Sequence, residues 1–134
     1  MKERIFIDTS FWIALFDKND QFHSQAITGL CEIENSFSAL SSDFIIYETI
    51  TYLNCSLVNH SLALKFLNAT EASNLTVLDS EKTIKDEAMQ IFKNYVDKSF
   101  SFTDCISFAL MQKEGIKIFA GFDNHFSQMG YNSI

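Results

Sequence analysis

The chain alternates short apolar runs with longer stretches in which apolar residues recur every three or four positions. Ile5–Ile7 is an apolar run with two β-branched residues, closed by Asp8, and predicts a buried strand. Thr9 or Ser10 can cap a short helix through Phe11, Trp12 and Leu15. Phe22, Ala26, Ile27, Leu30 and Ile33 keep helical spacing, which predicts a second helix from about Gln21 to Glu34. Phe37–Leu40 is a weaker strand signal. Ser41, Ser42 and Asp43 supply capping chemistry, with Asp43 read as the cap of a helix over Phe44–Asn54 that carries Ile46, Ile50 and Leu53 on one face.

Beyond it, Ser61–Thr70 predicts a helix and Leu75–Leu78 a strand. Glu81–Tyr95 is amphipathic, with Ile84, Ala88, Ile91, Phe92 and Tyr95 along one stripe. Ser101 or Thr103 can cap a helix that runs to Glu114 and stops at Gly115. Lys117–Ala120 reads as a strand, Asp123–Met129 as a short helical turn, and Tyr131–Ile134 as an edge strand. Strands alternating with helices predict an α/β fold: a parallel central sheet of four or five strands flanked by helices on both faces.

Composition narrows this picture. The 134 residues contain no proline, four glycines and no low-complexity linker, so residues 1–134 read as one domain. A hydrophobic content of 47%, with 14 Phe, is enough for a packed core. The net charge of −7 excludes a general nucleic-acid coat, which would be basic. It does not exclude a nuclease, because clustered acids lower the net charge and divalent ions reverse its local sign. Cys31, Cys55 and Cys105 are widely spaced, without CxxC or Cys/His pairing, and read as buried small hydrophobes in a reducing compartment. The apolar N-terminal run is broken by Asp8 and too short for a membrane span, so a cytoplasmic protein is expected.

Four acids stand out. Asp8 in IFIDTS, Glu48 in IIYETI, Asp104 in FTDCIS and Asp123 in AGFDNH are each flanked by apolar residues. Asp8 and Asp123 fall at or just past the carboxyl ends of strands, where open α/β sheets bind ligands. Asp104 opens a helix facing the same crevice, and Glu48 lies about one turn into another. Four buried acids without a Lys or Arg cluster are tolerable only around a cation. An oxygen-only set suits Mg²⁺ or Mn²⁺. Such a site can orient a metal-activated water in line with a phosphorus and steady the departing oxygen, with no covalent intermediate.

Each acid has a plainer reading: Asp8 as a helix cap, Asp104 as a first-turn acid favoured by the helix dipole, Glu48 as a surface residue, Asp123 as a turn residue beside Asn124. Asp97 reads as a loop acid. His125 reads as a packing or hydrogen-bonding residue rather than a ligand, and Lys98 as a solvated lysine that could meet a phosphate.

The segments IDTSFWIALFD, SSDFIIYETITYL, DKSFSFTDCISFALM and GFDNHFSQMGY, in that order, resemble a PIN-domain ribonuclease of the kind found as the toxin in VapBC-type toxin–antitoxin pairs. The resemblance runs from Ile5 to Tyr131, and the last two segments are its most distinctive part. It implies that Asp8, Glu48, Asp104 and Asp123 bind Mg²⁺ or Mn²⁺, and that Thr9 and Ser101 are hydroxyl positions supporting the pocket behind them. It also implies endonucleolytic cleavage of RNA, a homodimer and a small antitoxin partner. A PIN nuclease of RNA processing or decay without an antitoxin, and a catalytically silent PIN-like interaction module, are the alternatives. A phospho-acceptor receiver domain fits poorly: Asp8 is single, Asp79 lacks pocket context, and Lys117 precedes its strand. With Arg4 the only arginine, the residues that grip RNA are not legible.

Overall fold

The computed structural model describes all residues, Met1–Ile134. Five strands, β1 (Glu3–Ile7), β2 (Phe37–Ser42), β3 (Thr76–Leu78), β4 (Ile118–Ala120) and β5 (Asn132–Ser133), form one sheet in the order β3-β2-β1-β4-β5. Every pairing is parallel. Seven helices connect them: α1 (Thr9–Phe16), α2 (His23–Ser36), α3 (Asp43–Thr51), α4 (His60–Ala72), α5 (Lys82–Asn94), α6 (Phe102–Glu114) and α7 (His125–Gln128). The chain leaves β1 towards β2 and β3, then crosses back to β4. Right-handed crossovers in opposite directions put α1–α4 on one face and α5–α7 on the other. The reversal places a crevice beyond the carboxyl ends of β1 and β4.

The core follows from where the apolar runs land. Ile5, Phe6 and Ile7 are at most 1% exposed because β1 is central and covered on both faces. Phe6 and Phe119 stack on the Phe126 ring and Phe108 meets it edge-on, at 5.0–6.3 Å. On the other face Trp12 meets Phe66 edge-on at 5.6 Å. The Trp12 indole also donates to Ser41 Oγ, which in turn donates to the Ile7 carbonyl.

Several boundaries and faces differ from the sequence expectations. Asp8 itself caps α1, because its side chain rather than that of Thr9 or Ser10 accepts the first free N–H. Ser42 caps α3, whereas Asp43 turns away to accept the Ser80 N–H and hydroxyl at 2.9 and 2.6 Å, tying β3's exit to α3. The helix expected over Phe44–Asn54 ends at Thr51 and widens into a π-helical turn, Tyr52–Ser56. On α5 the buried stripe is Ile84, Ala88 and Ile91, while Phe92 and Tyr95 are 53% and 39% exposed. Ile27 faces solvent on α2. Cys31 and Cys55 are exposed and only Cys105 is buried. The first two sit on outer faces that nothing packs against. No helix is long and apolar enough to cross a membrane.

Candidate metal centre

Asp8 leaves the end of β1 and is 2% exposed. Its Oδ2 accepts from the Ser10 hydroxyl at 2.9 Å and from the Ser10 N–H at 3.4 Å. That hydroxyl also accepts the Phe122 N–H at 2.9 Å, so Ser10 clamps Asp8 to the segment after β4. The Asp8 N–H donates to the Ala120 carbonyl at 2.9 Å, closing the same seam. Gly121 packs closely there: a Cβ on it would sit 3.2 Å from both Cβ and Oδ2 of Asp8, so a neighbour would have to shift by a few tenths of an ångström.

Asp104 is the third residue of α6 and is held by a reciprocal cap. Its N–H donates to Ser101 Oγ at 3.0 Å, and the Ser101 N–H donates to its Oδ2 at 3.1 Å. The helix N-terminus favours an anion there. Gly115, at φ 69°, ends α6 in the left-handed conformation. Asp123 lies in the loop after β4 and accepts the His125 N–H at 3.0 Å through Oδ1, with its side chain 37% exposed. His125 Nδ1 lies 2.8 Å from Asp104 Oδ2 and 3.9 Å from Asp123 Oδ1. One ligand atom from each of Asp104, Asp123 and His125 falls within 4.8 Å of the others.

The electrostatics fit a pit short of positive charge. Burial pushes the Asp8 carboxyl well above its usual range, helped by the charges of Asp123 and Asp104 and opposed by Ser10. Burial likewise raises Asp104, with Asp123 adding to it, while the Ser101 N–H and His125 oppose. No lysine or arginine forms an ion pair with any of the three. Thr9 Oγ1, next in sequence to Asp8, is buried without a hydrogen-bond partner. An orphaned hydroxyl beside uncompensated carboxylates is a place where a hydrated cation would supply what the chain does not. Oxygen donors dominate the set, as Mg²⁺ or Mn²⁺ requires.

The sequence expectations divide here. Asp8, Asp104 and Asp123 come together from β1, α6 and the β4–α7 loop. Asp8 is near enough for the charges of Asp123 and Asp104 to act on it, whereas Glu48 is exposed in mid-α3. One turn earlier on α3, the Phe44 ring meets Phe102 of α6 at 6.0 Å. Asp123 is also more solvated than its apolar neighbours suggested. Ser101 supports Asp104 by the cap. Ser10 and His125 are the additions, and the Asp-x-His spacing in FDNHF was the available signal for the second. Asp97 stays in its loop, 3.9 Å from a half-exposed Lys98.

A crevice at the strand-order reversal, furnished with aspartates from separate elements, is an arrangement of metal-dependent phosphodiesterases. Residues 5–131 match the PIN domain, and the chain belongs to this family of nuclease domains. Among its relatives is the 23S rRNA-specific endonuclease VapC20 of Mycobacterium tuberculosis, 29% identical over 127 residues that make up 95% of each chain. The crystal structure of that relative, described as a Sarcin-Ricin loop cleaving toxin, aligns with a TM-score of 0.87 at 28% identity over 95% of each chain. The fold alone is shared with FitAcB from Neisseria gonorrhoeae (TM-score 0.70, 14% identity, 97% and 96% covered). The same holds for VapBC2 from Rickettsia felis (TM-score 0.73, 10% identity, 98% and 97% covered).

Proposed function

We propose that this protein is a Mg²⁺- or Mn²⁺-dependent endoribonuclease, acting as the toxin of a toxin–antitoxin pair. The observation that carries the reading is the convergence of Asp8, Asp104 and Asp123 on one crevice, with burial raising the cost of charge on the first two. The sequence relationship to a 23S rRNA-specific endonuclease makes ribosomal RNA the first substrate to assay.

Asp8, Asp104 and Asp123 would hold the ions. Divalent ions bound there would lower the pKa of a water and neutralise charge on the phosphate. The chain's own residues do the rest. Ser10 and Gly121 fix Asp8 against the β4 exit. Ser101 fixes Asp104 in the first turn of α6. The Phe100, Phe108 and Phe126 rings behind the pit keep bulk water from its rear. A small antitoxin with a basic segment complements this acid crevice, and a homodimer in the cytoplasm completes the proposed setting.

The test is cleavage of 23S rRNA and of short synthetic stem-loops with Mg²⁺ or Mn²⁺, comparing wild type with Asp8→Asn and Asp104→Asn. Equal activity in all three would sink the assignment. Mn²⁺ binding without any cleavage would favour the silent interaction module.

A further inference from the structure

Asp104 is held unevenly. Its Oδ2 accepts the Ser101 N–H at 3.1 Å and lies 2.8 Å from His125 Nδ1, while no group of the chain donates to its Oδ1. Asp123 repeats the pattern: Oδ1 takes the His125 N–H at 3.0 Å, and Oδ2 takes none. One residue therefore engages both carboxylates, one through its ring and one through its backbone. Its ring is itself fixed from behind. Phe100 packs edge-on against the imidazole at 5.5 Å, Ser99 Oγ lies 3.5 Å from Nε2, and the side chain is 24% exposed.

We propose that His125 is a positioning residue: its Nδ1–H holds Asp104 Oδ2 so that Oδ1 is the oxygen presented to the cation. A carboxylate free to rotate loses side-chain entropy on binding an ion, whereas one already tethered through a single oxygen does not. The imidazole cannot be a ligand through Nδ1 while that nitrogen donates to Asp104. That tether and the alternative in which His125 is a nitrogen ligand among the aspartates exclude one another, and the experiment below separates them. Phe100 and Ser99 link the tether to the loop before α6, so the same residue joins the pit to the surface around Tyr95, 5.8 Å from Phe100.

This inference rests on the reading of the pit as a metal centre, but its test needs no RNA. Mn²⁺ is titrated calorimetrically into the wild type, His125→Ala and His125→Asn, and the Mn²⁺-loaded wild type is examined by pulsed electron paramagnetic resonance. His125→Ala is expected to weaken Mn²⁺ about 10–100-fold, the usual effect of removing a hydrogen bond to a ligand. His125→Asn, whose amide can donate from nearly the position of Nδ1, is expected to restore affinity to within about threefold of wild type. No nitrogen coupling from a directly bound imidazole should be seen. Unchanged affinity in His125→Ala overturns the proposal. So does strong ¹⁴N coupling together with equal losses in both variants, which would make His125 a ligand. If His125→Ala does not fold, His125→Phe, which keeps a ring against Phe100 but cannot donate, takes its place with the same expected loss, and unchanged affinity in it overturns the proposal. Absence of RNA cleavage with intact, His125-dependent Mn²⁺ binding would remove the nuclease reading and leave this inference standing.

Discussion

Helices α5 and α6 have the same length, 13 residues each, and pack against one another, yet they treat a carboxylate in opposite ways. On α5 only Ile84, Ala88 and Ile91 are buried, and Asp86 sits on the wet face, 2.8 Å from Lys82 one turn away. On α6 every residue from Asp104 to Met111 is buried, so its acid cannot avoid the interior. Asp86 is solvated and paired. Asp104 is desolvated, faces Asp123, and has only a capping N–H and a histidine to offset the cost. The lesson is that an aspartate on an amphipathic helix needs no explanation, whereas one on a helix buried all round does. Uncompensated cost of this kind is what marks a functional residue.

That contrast can be broken or sharpened. The largest effect is expected for Asp104→Asn, which keeps size and cap but removes the charge. RNA cleavage should fall at least about a thousandfold, ~4 kcal/mol of transition-state stabilisation, while Asp86→Asn cleaves like wild type. Next, Phe108→Ala should cost about 3–5 kcal/mol in urea unfolding, because Phe108 is 1% exposed between Phe100, Phe126 and Tyr131. The exposed Phe92 of α5 should lose no more than about 0.5 kcal/mol on the same change. A Phe92→Ala loss as large as that of Phe108→Ala would refute the contrast between the helices.

Gly121→Ala is expected to lower Mn²⁺ affinity through Asp8 while costing about 1–3 kcal/mol, since the new methyl must displace the Asp8 carboxylate or Ser10 Oγ. The pH dependence follows from the raised carboxyls of Asp8 and Asp104. Between the ordinary carboxylate pKa and their raised folded values, the native state binds more protons than the unfolded chain. Metal-free stability must therefore fall as pH rises through that window. Mn²⁺ competes with those protons, so the rise in Tm on adding it should be larger at pH 7.5 than near pH 5 when followed by scanning calorimetry. A metal-induced shift independent of pH would show that the two carboxyls are not what the ion binds. The smallest effect belongs to the exposed Lys82–Asp86 pair, where Lys82→Ala should leave the melting temperature unchanged within error.

Much of this was legible along the chain. Apolar runs at Ile5–Ile7 and Lys117–Ala120 locate the central strands, and the breaks after them locate Asp8 and Asp123. A continuous buried pattern after FTD puts Asp104 at the start of an interior helix. Periodicity alone could not see that Phe92 and Tyr95 continue a stripe beyond the surface that covers it. Nor could it see that Asp43 turns to Ser80 instead of capping, because that partner lies 37 positions away. Glu48 sits between apolar residues in the sequence, yet its side chain is exposed.

The residue pattern alone carried the alternation of strands and helices, their parallel arrangement, and four candidate acids, three of which lie near the sheet's reversal. These depend on period, capping and burial, which are local properties. The bridge from Asp8 through Ser10 to Phe122, the close approach of Gly121 to Asp8 and the contact of His125 with Asp104 come from packing. The His125–Asp104 and Phe122–Ser10 contacts join residues 21 and 112 positions apart, and separations on that scale are set by how β1, β4 and α6 pack together.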